Sequence, residues 1–108
     1  MVPRGGGSET KLLAYGKNGG SQTGINVHGN DPDYCTLSAD YKTVTFVKAC
    51  SGIIGFNPMY GTMAGTASVT SITTGSSYTD ELYSFTANVG DTITFSSQYW
   101  WGYEVIGS

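Results

Sequence analysis

Over "ELYSFTANVGDTITFSS" (Glu81–Ser97), apolar and hydroxyl-bearing side chains take turns: Tyr83, Phe85 and Ala87 alternate with Ser84 and Thr86, then Ile93 and Phe95 with Thr92 and Thr94. A period of two puts successive side chains on opposite faces of an extended strand, whereas a helix needs a period near 3.6. No arrangement other than a sheet with one dry and one wet face uses this stretch fully. Between the two runs "NVGD" supplies turn chemistry, and the pattern predicts a β-hairpin.

The rest of the chain reads the same way. Strand-like runs recur between Gly, Pro, Asn and Asp punctuation. They are "TKLLAY" (Thr10–Tyr15) ended by "GKNGG", "TGINV" (Thr23–Val27) ended by "HGNDPD", and "YCTLS" (Tyr34–Ser38). "YKTVTFVKAC" (Tyr41–Cys50) is expected as one central strand, with Val44 and Phe46 on one face and Thr45, Val47 and Ala49 on the other. "SGIIGF" is short and glycine-flanked, "NPMYGTMAG" (Asn57–Gly65) reads as a loop, "TASVTSITT" as a strand, and "YWWGYEVI" as the last strand. No stretch supports a helix. Seven to nine short strands at this spacing predict an all-β fold, a two-sheet antiparallel β-sandwich with Ig-like or jelly-roll connectivity.

Residues 1–8, "MVPRGGGS", resemble the remnant of a cleavage tag followed by a flexible linker, so the expected organisation is a tag and linker over 1–8 and a single sandwich domain over 9–108. A domain taken from a longer protein is the expectation. Charged residues make up 12% of the chain with a net charge of -3, and no basic stripe is present, which argues against a nucleic-acid partner. No run approaches the length of an apolar membrane helix, so membrane insertion is not expected. Gly, Tyr, Ser and Thr dominate, a composition of surface-exposed β modules. Cys35 and Cys50 either close a short loop as a disulfide or remain two buried thiols, and two cysteines alone fix no framework.

The C-terminal third, "YSFTANVGDTITFSSQYWWGYEVIG", resembles the closing strands of small β-sandwich modules from bacteriophage tail fibres, other virion proteins and bacterial surface proteins. It is also similar to the ends of complement-globular-head-like and tumour-necrosis-factor-like jelly rolls, which are trimeric. The resemblance implies attachment or structural work, an extracellular, cell-surface or virion location, and a homo-oligomer as one outcome. It carries over no binding residue.

The densest aromatic stretch is "SSQYWWGYEVIGS". In a strand, Tyr99, Trp101, Tyr103 and Val105 share one face, and Trp100, Glu104 and Ile106 share the other. Flat aromatic rings stack on the C–H faces of sugars, and a nearby amide or carboxylate holds hydroxyls. Tyr99, Trp100, Trp101 and Tyr103, with Gln98 and Glu104 as polar partners, therefore form the candidate ligand platform. Core packing or a subunit interface accounts for the same residue types. Tyr60, in a loop with two methionines, is a further candidate contact. "HGNDPD" has the oxygens of a calcium loop but neither the length nor the glutamate of one, and a turn explains it; no metal or cofactor is expected. No nucleophile motif, phosphate loop or paired carboxylates support catalysis, so the chain is expected not to be an enzyme. The functional expectation is a non-catalytic module that attaches to a cell-surface glycan or host receptor, most specifically carbohydrate. The alternative is a purely structural spacer or oligomerisation domain with buried aromatics.

Overall fold

The computed structural model describes residues 9–18, 26–73, 81–97 and 101–108. Ten strands lie among them: β1 (Lys11–Asn18), β2 (Asn26–Asn30), β3 (Cys35–Leu37), β4 (Thr43–Phe46), β5 (Cys50–Phe56), β6 (Gly61–Gly65), β7 (Ser68–Ser71), β8 (Glu81–Ala87), β9 (Thr92–Ser97) and β10 (Trp101–Gly107). They form a six-stranded sheet in the order β2-β1-β10-β5-β8-β7 and a four-stranded sheet in the order β3-β4-β9-β6, with every pairing antiparallel.

From β4 onward every connection except β7 to β8 crosses between the sheets, at β4 to β5, β5 to β6, β6 to β7, β8 to β9 and β9 to β10. β10 slots between β1 and β5, and β9 slots between β4 and β6. This interlocked order is jelly-roll connectivity, and it decides between the two sandwich topologies that the strand count left open.

The alternation read from the sequence sets the two inner faces. Val44 and Phe46 of β4, Ile93 and Phe95 of β9, Ile54 and Phe56 of β5, and Tyr103 and Val105 of β10 are all buried. Phe95 stacks on Tyr103 with ring centroids 4.0 Å apart and meets Phe56 at 5.3 Å; Phe46 stacks on Phe85 at 5.4 Å. These contacts tie the sheets together, each fully buried large side chain contributing about 1.5–3 kcal/mol. A bulge in β1 between Leu12 and Ala14 lets Leu13 and Ala14 both turn inward, and both are fully buried.

Several strand limits differ from the sequence reading. The Glu81–Ser97 segment is not a hairpin, because β8 pairs with β5 and β7 whereas β9 pairs with β4 and β6. The turn carries the chain from one sheet to the other, and the two apolar rows face each other instead of lying side by side. Tyr41–Cys50 is two elements. β4 ends at Phe46, the backbone bends through Val47–Ala49, and β5 starts at Cys50 in the opposite sheet. Lys48 is exposed at that bend, its ammonium 4.6 Å from the Tyr34 ring centroid. β1 runs on past Tyr15 because Gly16 pairs with both His28 and Tyr103. β2 likewise extends through "HGN", so the turn begins only at Asp31. The Asn57–Gly65 loop holds one 3-10 turn (Pro58–Tyr60) and then the edge strand β6.

Cys35 and Cys50 are free thiols, both buried. Burial pushes the Cys35 thiol up to about 12, and the neighbouring Cys50 adds to the shift. Asp31 closes the "NDPD" turn. Its carboxylate accepts the Asp33 N–H at 3.0 Å and the Lys11 ammonium at 2.9 Å, while its carbonyl accepts the N–H groups of Tyr34 and Cys35.

Candidate functional site

Gln98, Tyr99 and Trp100 lie outside the described residues. Trp101 opens β10 in register with Asn18, and Tyr60 closes the 3-10 turn; the side chains of both lie outside the described residues. Tyr103 is a core residue. Only 3% of it is exposed, it lies parallel to Phe95, and its hydroxyl donates to the Tyr41 carbonyl. Its assignment to the ligand platform is corrected on that ground, because β10 must bury one face and Tyr103 shares that face with Val105. Glu104 is exposed on the opposite face, together with Ile106. β10 therefore has two differently used sides.

The outward side of β10 belongs to a larger surface. Across the six-stranded sheet, one row of aligned residues runs Gly29, Tyr15, Glu104, Gly55, Leu82. The adjoining row runs Leu12, Ile106, Ile53, Ser84, Thr70. Leu12 is 44% exposed, Leu82 40% and Ile106 36%, so this face carries more apolar surface than a solvated sheet face requires.

Among the described residues Tyr15 is the aromatic of this face. Its ring lies across Gly29 of the neighbouring strand, so close that a Cβ built on Gly29 would stand 2.6 Å from the ring edge. Only glycine permits that contact, and it holds the partly buried ring down on the sheet. Glu104 is the direct cross-strand partner of Tyr15. Opposed Cβ atoms in such a pair are about 5 Å apart, and the Tyr15 ring leans the other way over β2, so ring and carboxylate stand on one sheet face with β1 between them. Beyond Glu104, Gly55 contributes no side chain and leaves a shallow floor between Glu104 and Leu82. The sequence reading missed Tyr15 because it stands alone at the end of an apolar run. A signal was present in its alternation with Ala14 and Gly16, but the partner glycine is visible only once β1 and β2 are paired.

The outer face of the four-stranded sheet differs. Thr36, Thr45 and Thr92 form one row, and Thr43 and Thr94 begin the next, with their hydroxyls 2.9 Å apart. It is a short-chained, hydroxyl-lined surface of the kind that faces water in a sandwich. Among the described residues, the apolar and aromatic outer surface lies on the six-stranded sheet.

Comparison with known families, with curated proteins and with solved structures finds no match for this chain. Its functional reading rests on the geometry above. Among the described residues, no three His, Cys, Asp or Glu side chains are grouped to hold a metal ion, and no helix is long and apolar enough to cross a membrane.

Proposed function

We propose that this chain is a non-catalytic attachment module of a larger extracellular or virion protein, and that it contacts cell-surface carbohydrate through the outer face of its six-stranded sheet. The observation that carries this reading is the Tyr15–Glu104 cross-strand pair on an apolar, partly glycine-floored surface. A flat ring offers the stacking face for a pyranose, and the Glu104 carboxylate on the next strand accepts hydrogen bonds from sugar hydroxyls. By the alternation in the sequence Trp100 shares the face of Glu104 and Trp101 that of the buried Tyr103, so the two tryptophans are tested separately. Nothing in this reading requires chemistry on the ligand.

Glycan-array binding tests it, comparing the wild type with Tyr15→Ala, Glu104→Gln, Trp100→Ala and Trp101→Ala. The wild type is expected to retain a defined set of glycans, with the first two variants losing about tenfold or more in affinity at unchanged melting temperature. A wild type that retains no glycan, or Tyr15 and Glu104 variants that bind undiminished, overturns the proposal.

The row Leu12, Ile106, Ile53 favours a second reading, a homo-oligomer that buries this face between subunits. Sedimentation over a range of concentrations separates the two: a stable trimer that Ile106→Lys dissociates supports the oligomerisation head, and a monomer supports the free platform.

A further inference from the structure

A sandwich has two open sides, where the edge strands of its sheets run past each other, and here the two are built differently. On one side stand β2 and β3. β3 has only three residues, the Asn30 side-chain amide donates to the Cys35 carbonyl at 2.6 Å, and His28 stacks on Tyr41 at 3.5 Å. Side chains bridge this seam and shield its backbone, as edges in soluble proteins usually are.

On the other side stand β6 and β7. Among the described residues both end their sheets, each pairing on one flank only: β6 with β9 and β7 with β8. The chain passes between them through Thr66 and Ala67, after Gly65 turns with φ +155°. From that corner the two edges flank a cavity of about 290 Å³, lined by Met63, Ala67, Val69, Ser71, Tyr83 and Ile93. Neither β6 ("GTMAG") nor β7 ("SVTS") contains a charge or a proline, the devices that ordinarily block edge pairing. Among the described residues the larger sheet ends on this flank at β7 and the smaller at β6.

We infer that the β6 edge is a strand-acceptor site, which takes an extended, uncharged peptide segment of another protein as a fifth strand of the smaller sheet. Backbone groups along β6 pair with the incoming segment, and its alternate aliphatic side chains enter the cavity. Such strand addition draws its affinity from main-chain hydrogen bonds and its selectivity from pockets for every second residue. Three features set the occupant's chemistry. The cavity lining carries no charged residue, so a charged side chain entering it would lose its hydration without a partner. Its volume is roughly twice the roughly 150 Å³ that holds one benzene ring, and lies at the lower limit of about 300 Å³ for small-molecule pockets; it suits a pair of branched aliphatic side chains better than a whole organic ligand. The Tyr83 hydroxyl, already bonded to Glu81, sets a polar end beside the aliphatic groups. This inference is independent of the carbohydrate reading, since it uses the opposite end of the sheet order from β1.

The test is amide hydrogen exchange and a methyl-labelled Met63 spectrum, recorded during titration with a capped eight-residue peptide that alternates valine and threonine. A second titration uses the same peptide N-methylated at every other residue, and a third uses Ala67→Leu protein, which fills the cavity. The plain peptide is expected to bind saturably, to slow exchange along β6 by about tenfold or more, and to shift the Met63 methyl; the methylated peptide and the filled variant are each expected to lose about tenfold or more in affinity. Absence of saturable binding up to millimolar peptide overturns the inference, as does equal binding of the methylated peptide. Protection of the outer β6 amides in the free protein also overturns it: if that protection rises with protein concentration, the occupant is a second copy of this chain.

Discussion

Tyr103 is held at both ends of its side chain. Its ring lies against Phe95, tilted by only 1°, and its hydroxyl donates to the carbonyl of Tyr41. That carbonyl belongs to a residue with φ +64°, a left-handed conformation that is costly for a non-glycine residue. Neighbouring bonds fix it there: the Tyr41 N–H donates to the Ser38 carbonyl at 2.9 Å, and Asp40 accepts the Ser38 hydroxyl and the Lys42 N–H. His28 then covers the Tyr41 ring from β2. A contact chain thus runs from the core to the closed edge of the sandwich. Tyr103→Phe keeps the stack and removes only the hydroxyl, leaving a half-buried carbonyl without that donor; the expected loss is about 1–3 kcal/mol, read from urea unfolding. A loss within error of zero would mean that water replaces the hydroxyl without cost.

Among the elements, the β8–β9 connection is the most telling. Gly90 takes φ +92°, and the Asp91 carboxylate accepts the Asn88 N–H at 2.8 Å and the Thr66 hydroxyl at 2.9 Å. Thr66 in turn accepts the Thr92 N–H, and the Asp91 carbonyl accepts the Phe46 N–H. One aspartate therefore joins the arch to the β6–β7 corner and to the end of β4. Asp91→Ala is expected to destabilise the protein by about 1–3 kcal/mol, with Thr66→Val losing less and the double variant losing less than the sum of the two. Strict additivity in that cycle would show that the two side chains act independently. The turn residues themselves were legible in "NVGD". Their use was not, because a tight turn with a glycine serves equally to pair two strands in one sheet and to pass a chain between two sheets.

For the whole molecule, ionisation sets the limits of stability. The hydrogen bond from Lys11 holds Asp31 below the ordinary 3.8, and the Ser38 hydroxyl does the same for Asp40. Folding favours their charged forms, so their contribution is complete above the ordinary carboxylate value and is lost as pH falls through the depressed values. Both sit at the surface, where solvent screens them, so the acid limb should be shallow. At the alkaline end the signs reverse. Burial raises Cys35 and, with the hydrogen bond to Glu81, Tyr83, each to about 12; burial raises Cys50 and Tyr103 as well. Stability from these groups is complete below the ordinary 9.0 of a thiol and 10.0 of a phenol, and is lost as pH rises towards about 12. In that window the unfolded chain binds fewer protons than the native one. The urea midpoint is expected to stay flat from about pH 5 to about pH 8 and to fall by about pH 11. Native absorbance titration should show Tyr83 and Tyr103 keeping their protons past the ordinary 10.0 of a phenol, and loss of both protons at that value would contradict this.

The sequence by itself determined that this chain is a sandwich, and it determined much of which side chain points where. Alternation in "TVTF", "TITF" and "YEV" is a property of the extended backbone, so Val44 and Phe46, Ile93 and Phe95, and Tyr103 and Val105 could be grouped correctly without coordinates. Which of two groups on β10 turned inward was not decided there, because Ile106 on one face is as apolar as Val105 on the other. Only tertiary structure settled that choice, together with the jelly-roll order, the placing of Tyr15 over Gly29, and the contrast between a bridged seam and an open one. The reason is physical. Periodicity is fixed by covalent geometry one residue at a time, whereas strand partners are chosen by burying all the apolar faces at once, and residues far apart in the chain decide that together.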